Sequence, residues 1–293
     1  MHASTGHFIF RHVVLLCLFC MVSTGVQAEL LKPYKDALFA YPQILLRSDG
    51  GDYTVVDYQE LRDINGRDQI PERRVKRPYV SLIPAKARFL ETLSVETGPL
   101  DVARVGPSQN AAFTVIFVHG RGGDRRLGNN DYSFGGNFNR IKNLSYANGG
   151  AYYAPSLGAF DQNGVSQVAS LIKHVKQSSP GRPVFVACAS MGSFVCWGLM
   201  REAETVANLK GMMIMSGASD ADFLSSAGFK AKLPLFFSHG SRDPVYKADE
   251  QTRLYRTLKA KRYPARFVLF EGGNHGTPIR MTDWRDALNW LNQ

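Results

Sequence analysis

The sequence predicts an α/β protein whose doubly wound, mostly parallel sheet carries an antiparallel N-terminal extension and no large cap domain. Three observations carry this. From about residue 88 onward, short apolar β-type runs alternate with helical patterns, which is the signature of strand–helix–strand crossovers. Four of those runs stop abruptly in turns rich in Gly, Ser, His and Asp. The chain has 293 residues, 44% of them hydrophobic and 20% charged, enough to bury one sizeable core in an ordinary globular protein.

Residues 1–28 are set aside first. Arg11 and His12 precede the apolar stretch from Val13 to Val22, and Val26-Gln27-Ala28 closes it. A basic start, an apolar centre and a small-x-small end read as a secretory signal peptide cut after Ala28, which implies an exported, periplasmic or secreted protein. An uncleaved anchor is the competing reading, against which the apolar stretch is short for a bilayer span. Residues 29–87 are read as an N-terminal extension packed on the main domain. Within it Gln43 to Tyr58 suggests a hairpin turning at Asp49-Gly50-Gly51, and Tyr79 to Ile83 a further strand.

The main domain, 88–293, opens with a hairpin, Arg88 to Val95 and Leu100 to Val105 around Thr97-Gly98-Pro99. Thr114 to Val118 and Ala151 to Ala154 are the next strands. Apolar residues three and four apart (Val165, Val168, Ala169, Leu171, Ile172, Val175) predict a helix. Strands follow at Val184 to Ala187, Met212 to Met215, Leu235 to Phe237 and Phe267 to Phe270. Helices are expected after Ser190, around Ala248 to Leu258 and over Trp284 to Leu291. The short connection from Ser216 to Leu233 leaves no space for a cap domain, whereas the Gly- and Asn-rich loop from Gly120 to Gly136 is placed to shape an entrance.

In open sheets of this kind chemistry collects at the carboxyl ends of the strands, and four motifs lie there. His119-Gly120-Arg121-Gly122-Gly123-Asp124 follows the strand at Val115. Cys188-Ala189-Ser190-Met191-Gly192 follows the strand at Val184. Ser238-His239-Gly240-Ser241-Arg242-Asp243 and Glu271-Gly272-Gly273-Asn274-His275-Gly276 follow the last two strands. A Ser at a strand-to-helix turn is pushed out at the sheet edge, beside the N–H groups that open the helix. The pattern G-x-S-x-G is matched in part, since Cys188 stands at the first Gly.

This order of loop, Ser, Asp and His resembles the α/β-hydrolase family over roughly residues 88 to 293. The resemblance implies a carboxylesterase-like serine hydrolase with Ser190 as nucleophile, His275 as base and Asp243 as the carboxylate that orients the imidazole. The backbone N–H groups of Met191 and Arg121 are expected to receive the oxyanion. Asp220 and Asp222 are the reserve acids, and His119 and His239 are read as braces of their loops. Thioesterase, lipase and peptidase chemistry remain open on the same three residues, as does a non-catalytic binding protein of this fold. Tyr132, Phe134, Phe160 and Phe223 are candidates for an acyl pocket or for packing. No metal or cofactor is implied, because neither paired His on a helix nor Cys-x-x-Cys stands in the mature chain.

Cys188 and Cys196 are read as two buried thiols, pairing in an oxidising compartment being the alternative. The formal charge is +10; Arg11 leaves with residues 1–28, which hold no acid, giving +9. Basic residues crowd between Arg62 and Arg88 and again at Arg253, Arg256, Lys259, Lys261 and Arg262. Such a balance suits weak association with anionic surfaces, and no recognition motif for nucleic acid accompanies it. The expected partner is a small-molecule ester or acyl substrate.

Overall fold

A computed structural model describes residues 1–3 and 29–293. The expected signal peptide therefore falls almost entirely outside the described residues. Among the described residues twelve strands are formed: β1 (Ile44–Ser48), β2 (Tyr53–Asp57), β3 (Asp68–Gln69), β4 (Arg74–Val75), β5 (Arg88–Val95), β6 (Gly98–Val105), β7 (Thr114–Val118), β8 (Ala151–Pro155), β9 (Val184–Ala189), β10 (Gly211–Met215), β11 (Leu235–Gly240) and β12 (Ala265–Glu271). Ten of them make one sheet in the order β1-β2-β12-β11-β10-β9-β7-β8-β6-β5, while β3 and β4 pair separately.

From β2 to β8 every neighbour is parallel. Both margins are antiparallel, β1 on β2 at one side and β6 and β5 beyond β8 at the other. The parallel strands are buried on both faces, so they read as continuous apolar runs such as Val115-Ile116-Phe117-Val118. Alternate residues feed two cores. Ile116, Val186 and Ile214 face helix Gln162–Ser178 and its neighbours, whereas Phe117, Ala187 and Met213 face helices Asn137–Ala147 and Trp284–Leu291.

The N-terminal hairpin lies beside the last parallel strand: Tyr53 to Asp57 run in register with Phe267 to Glu271. Between β10 and β11 the chain makes only a 3-10 turn, Phe223–Ser225, and the short helix Ala227–Lys230.

Two expectations need correction. Tyr79 to Ile83 is not a strand; the chain there passes between two 3-10 turns, Arg77–Tyr79 and Ile83–Ala87, each carrying a proline in its first turn. Ser81, between them, exchanges hydrogen bonds with the Asn139 amide instead of joining a ladder. Cys188 and Cys196 are not free thiols. They form a disulfide, because the strand register turns Cys188 toward the same core that receives the second turn of helix Gly192–Leu199.

Candidate active site

The carboxyl ends of β9, β11 and β12 bring Ser190, Asp243 and His275 together. Ser190 is the residue after β9 and has φ of 53°, a left-handed conformation that is strained for a side chain with a Cβ. It is held there by its N–H donating to Met215 O (3.0 Å) and its carbonyl accepting from Ser193 N–H (2.9 Å). Two glycines make the turn possible. A Cβ on Gly192 would stand 2.6 Å from His119 O, and one on Gly120 would stand 2.8 Å from Ser190 Cβ. The Cys188 that breaks the usual pattern is wholly buried and joined to Cys196, so the strand leading into Ser190 and the helix leaving it are covalently tied.

His275 enters from the loop after β12. Its Nε2 lies 2.8 Å from Ser190 Oγ and its Nδ1 lies 2.8 Å from Asp243 Oδ2. The loop is shaped by Asn274, whose Oδ1 accepts from Gly276 N–H (3.0 Å) while its own N–H donates to Thr277 Oγ1 (3.0 Å). Among three partners in line, the tautomer follows: Nδ1–H donates to the carboxylate, leaving Nε2 to accept from the serine hydroxyl.

Asp243 is gripped on every side. Its Oδ1 accepts the N–H groups of Val245 (2.8 Å) and Tyr246 (3.1 Å). Its Oδ2 also lies 3.3 Å from His239 Nε2, which donates to Tyr246 O at 2.9 Å. Burial opposes ionisation of this carboxyl, but hydrogen bonds from His239, His275 and the two N–H groups outweigh it and hold it well below the usual carboxylate range. It is thus a fixed negative charge beneath the imidazole at any pH near neutral.

The two braces sit where the sequence puts them. His119 Nδ1 contacts Gly120 O at 2.8 Å and its Nε2 accepts from Leu157 N–H at 3.0 Å. Burial pushes its pKa down, against the hydrogen bond to Gly120, so the ring is neutral and acts as a strut between two loops. The same loop carries Arg121, whose side chain is exposed. Among the described residues no acceptor takes the N–H of Arg121 or of Met191, and Gly120, the residue before Arg121, abuts Ser190.

The reserve acids are elsewhere. Asp220 is engaged by Arg201 at 2.8 Å, and Asp222 is exposed. Of the candidate aromatic residues, Phe223 is buried in the core against Trp197 and Tyr263. Tyr132 lies under the Arg74 guanidinium. Phe160 meets His119 edge-on, and Phe134 approaches Gly276.

Sequence patterns alone did not point to the rim nearest the imidazole. The Tyr246 ring lies 5.9 Å from that of His275 and 6.3 Å from that of Phe194. Phe194 is 42% exposed and Val245 56% exposed, both large apolar groups in water. A local signal for them exists: Phe194 is one helical turn beyond Ser190, and Val245-Tyr246 follow Asp243 directly.

No family model matches the chain, and no curated protein matches it in sequence. Solved structures do match. A protein of unknown function from Agrobacterium tumefaciens, grouped by its description with the alpha/beta hydrolases, superposes with a TM-score of 0.53 at 19% identity, covering 69% of this chain and 93% of that one. The feruloyl esterase module of Clostridium thermocellum gives 0.54 at 14% identity, over 75% and 93%. An esterase of Pyrococcus furiosus gives 0.51 at 16% identity, over 72% and 95%. The chain has the α/β-hydrolase fold.

Proposed function

We propose that this protein is an exported serine hydrolase that cleaves a carboxylic ester through an acyl-enzyme on Ser190. The observation that carries the reading is the unbroken hydrogen-bond line from Ser190 through His275 to Asp243. Ser190 Oγ attacks the ester carbonyl carbon as His275 Nε2 takes its proton. The carbonyl electrons move onto oxygen, where the N–H groups of Met191 and Arg121 receive the charge. The buried Asp243 stabilises the imidazolium so formed without taking its proton. The tetrahedral adduct collapses, His275 returns the proton to the departing alcohol, and water repeats the sequence to release the acid and restore the serine.

An ester is taken as the substrate class, and the rim of Phe194, Val245 and Tyr246 beside His275 suits an apolar substituent on it. Two of the proteins with similar structures are also esterases by name. Export is supported by the basic, apolar and small-residue order of residues 1–28 and by the Cys188–Cys196 bridge, a bond that persists in oxidising compartments.

A panel of p-nitrophenyl esters of graded acyl length, run beside thioester and peptide substrates, tests the reaction. Turnover confined to the esters, strongest for short and medium acyl groups, is the expected outcome. A preference for the thioester or the peptide, or no turnover of any, would replace the ester assignment. Export is checked by the N-terminus of the purified protein, expected at Glu29; retention of residues 1–28 would contradict it.

A further inference from the structure

The other edge of the parallel sheet has a character of its own. Residues 179–183 lead into β9, 208–210 into β10, 229–234 into β11 and 259–264 into β12. Together these loops hold Arg182, Lys210, Lys230, Lys232, Lys259, Lys261 and Arg262, and no Asp or Glu. They lie side by side: Lys210 N–H donates to Val184 O, Met212 N–H to Pro234 O and Leu235 N–H to Pro264 O, at 2.8 to 3.0 Å. Four adjacent strand starts span only roughly 15 Å at the usual strand spacing.

Lys259 is paired with Asp52 at 2.7 Å and Lys210 with the carbonyl oxygen of Gln293 at 2.9 Å. Arg182, Lys230, Lys232, Lys261 and Arg262 are exposed and make no ion pair among the described residues. Arg253 and Arg256, exposed on helix Ala248–Ala260, continue the cationic surface toward this edge. The nearest acid in sequence to Lys210 is Glu204, on the helix before it. Between Lys210 and Lys232 opens a cleft of about 360 Å³ whose floor includes Val206, Leu209, Ala227 and Leu233.

We propose that this basic edge, with the apolar cleft at its centre, seats the protein on an anionic lipid surface while the Ser190 edge faces away from it. Clustered Lys and Arg are drawn to anionic headgroups, each adding to the attraction within a Debye length of the surface. An acidic polysaccharide would satisfy the charges and leave the apolar floor idle; an anionic amphiphile satisfies both. The six residues of β9 set Ser190 about 20 Å from the docked edge, given the rise of a strand. Docking therefore leaves the candidate active site open to dissolved substrate. The inference does not depend on what that site does.

Cosedimentation of the intact protein with phosphatidylglycerol–phosphatidylcholine vesicles, against pure phosphatidylcholine vesicles, tests it. Binding is expected to the anionic vesicles at low salt only, and to be lost at high salt. The variant R182Q/K230Q/K232Q/K261Q/R262Q should bind at least about tenfold more weakly, with its thermal unfolding unchanged to show that it is folded. Equal sedimentation with both vesicle types, no loss in that folded variant, or retention on immobilised polygalacturonate without binding to vesicles would each overturn the proposal.

Discussion

The buried face of helix Asn137–Ala147 carries Asn137, Asn139, Arg140, Lys142 and Asn143, and each contacts polar groups inside the protein. Arg140 reaches Asp36 (3.1 Å) and Asp283 (3.0 Å), Lys142 reaches Asp131 (2.7 Å), and Asp131 also meets Arg88 (2.5 Å). Burial pushes Lys142 down to about 8 even with Asp131 pulling the other way. The Ser190 edge is also built from buried polar groups, but there the line ends in a hydroxyl, and the N–H groups of Met191 and Arg121 meet no acceptor among the described residues. One region commits its polar groups to holding this helix against Asp36 and Ser81 near the N-terminus and against Asp131, Ile279, Thr282 and Asp283. The other keeps several uncommitted. The difference teaches which perturbations should harm folding and which should harm chemistry.

The largest expected effect is on chemistry. Asp243→Asn should cost on the order of 10⁴-fold in kcat, since the amide can no longer hold the Nδ1–H tautomer, while the protein stays folded. Steady-state kinetics beside Asp220→Asn checks this. Full rate in the first variant with loss in the second would move the acid to Asp220.

The polar helix should answer in the opposite way. Asp131→Asn leaves Lys142 and Arg88 facing a neutral group, one of them wholly buried, and should cost about 3–5 kcal/mol in stability with kcat of the surviving folded fraction unchanged. Its acid behaviour sharpens the point. Burial opposes ionisation of Asp131, yet Lys142, Asn139 and Arg88 hold it below its ordinary value. Asp243 is held below its ordinary value as well. An unfolded Asp titrates at about 3.9, so the unfolded chain binds more protons than the folded one below that pH. The stability these carboxylates add is complete above about pH 4 and is lost as the pH falls from there through their folded values. Asp131→Asn should flatten that acid limb in denaturant titrations; an unaltered limb would show that the pair carries no such linkage.

The contrast also explains what could be read from the sequence. Each candidate site residue sits in a turn that ends an apolar run, so a local pattern is enough to place Ser190, Asp243 and His275 on the sheet edge. Helix Asn137–Ala147 offers no such pattern. Its apolar Phe138, Ile141 and Leu144 are outnumbered on the buried side by amides and cations, and their partners, Asp36, Ser81, Asp283 and Thr282, come from distant parts of the chain. The expected strand at Tyr79 failed for the same reason, since Ser81 is one of those partners. The disulfide was hidden because an inward Cys beneath the turn looks the same in sequence whether bonded or free.

Smaller effects probe the boundary between the two regions. Cys188→Ala/Cys196→Ala removes the tie around Ser190. Closing so short a loop is worth about 2–3 kcal/mol, so chemical denaturation should show a loss of that size. A kcat that also falls would show that the tie helps to position the hydroxyl. Phe194→Ala should have the mildest consequence. Removing one exposed face of the rim should lower kcat/KM for an aryl ester relative to a methyl ester about fivefold, or about 1 kcal/mol, and an unchanged ratio would remove Phe194 from the rim's role.

The most direct test of the central claim is to expose the folded protein to a fluorophosphonate and map the adduct by peptide mass spectrometry. A reactive serine activated by its neighbours should be phosphonylated at Ser190 alone, and Ser190→Ala should take up none. An adduct on another residue, equal uptake by Ser190→Ala, or a folded protein that stays unlabelled would contradict it.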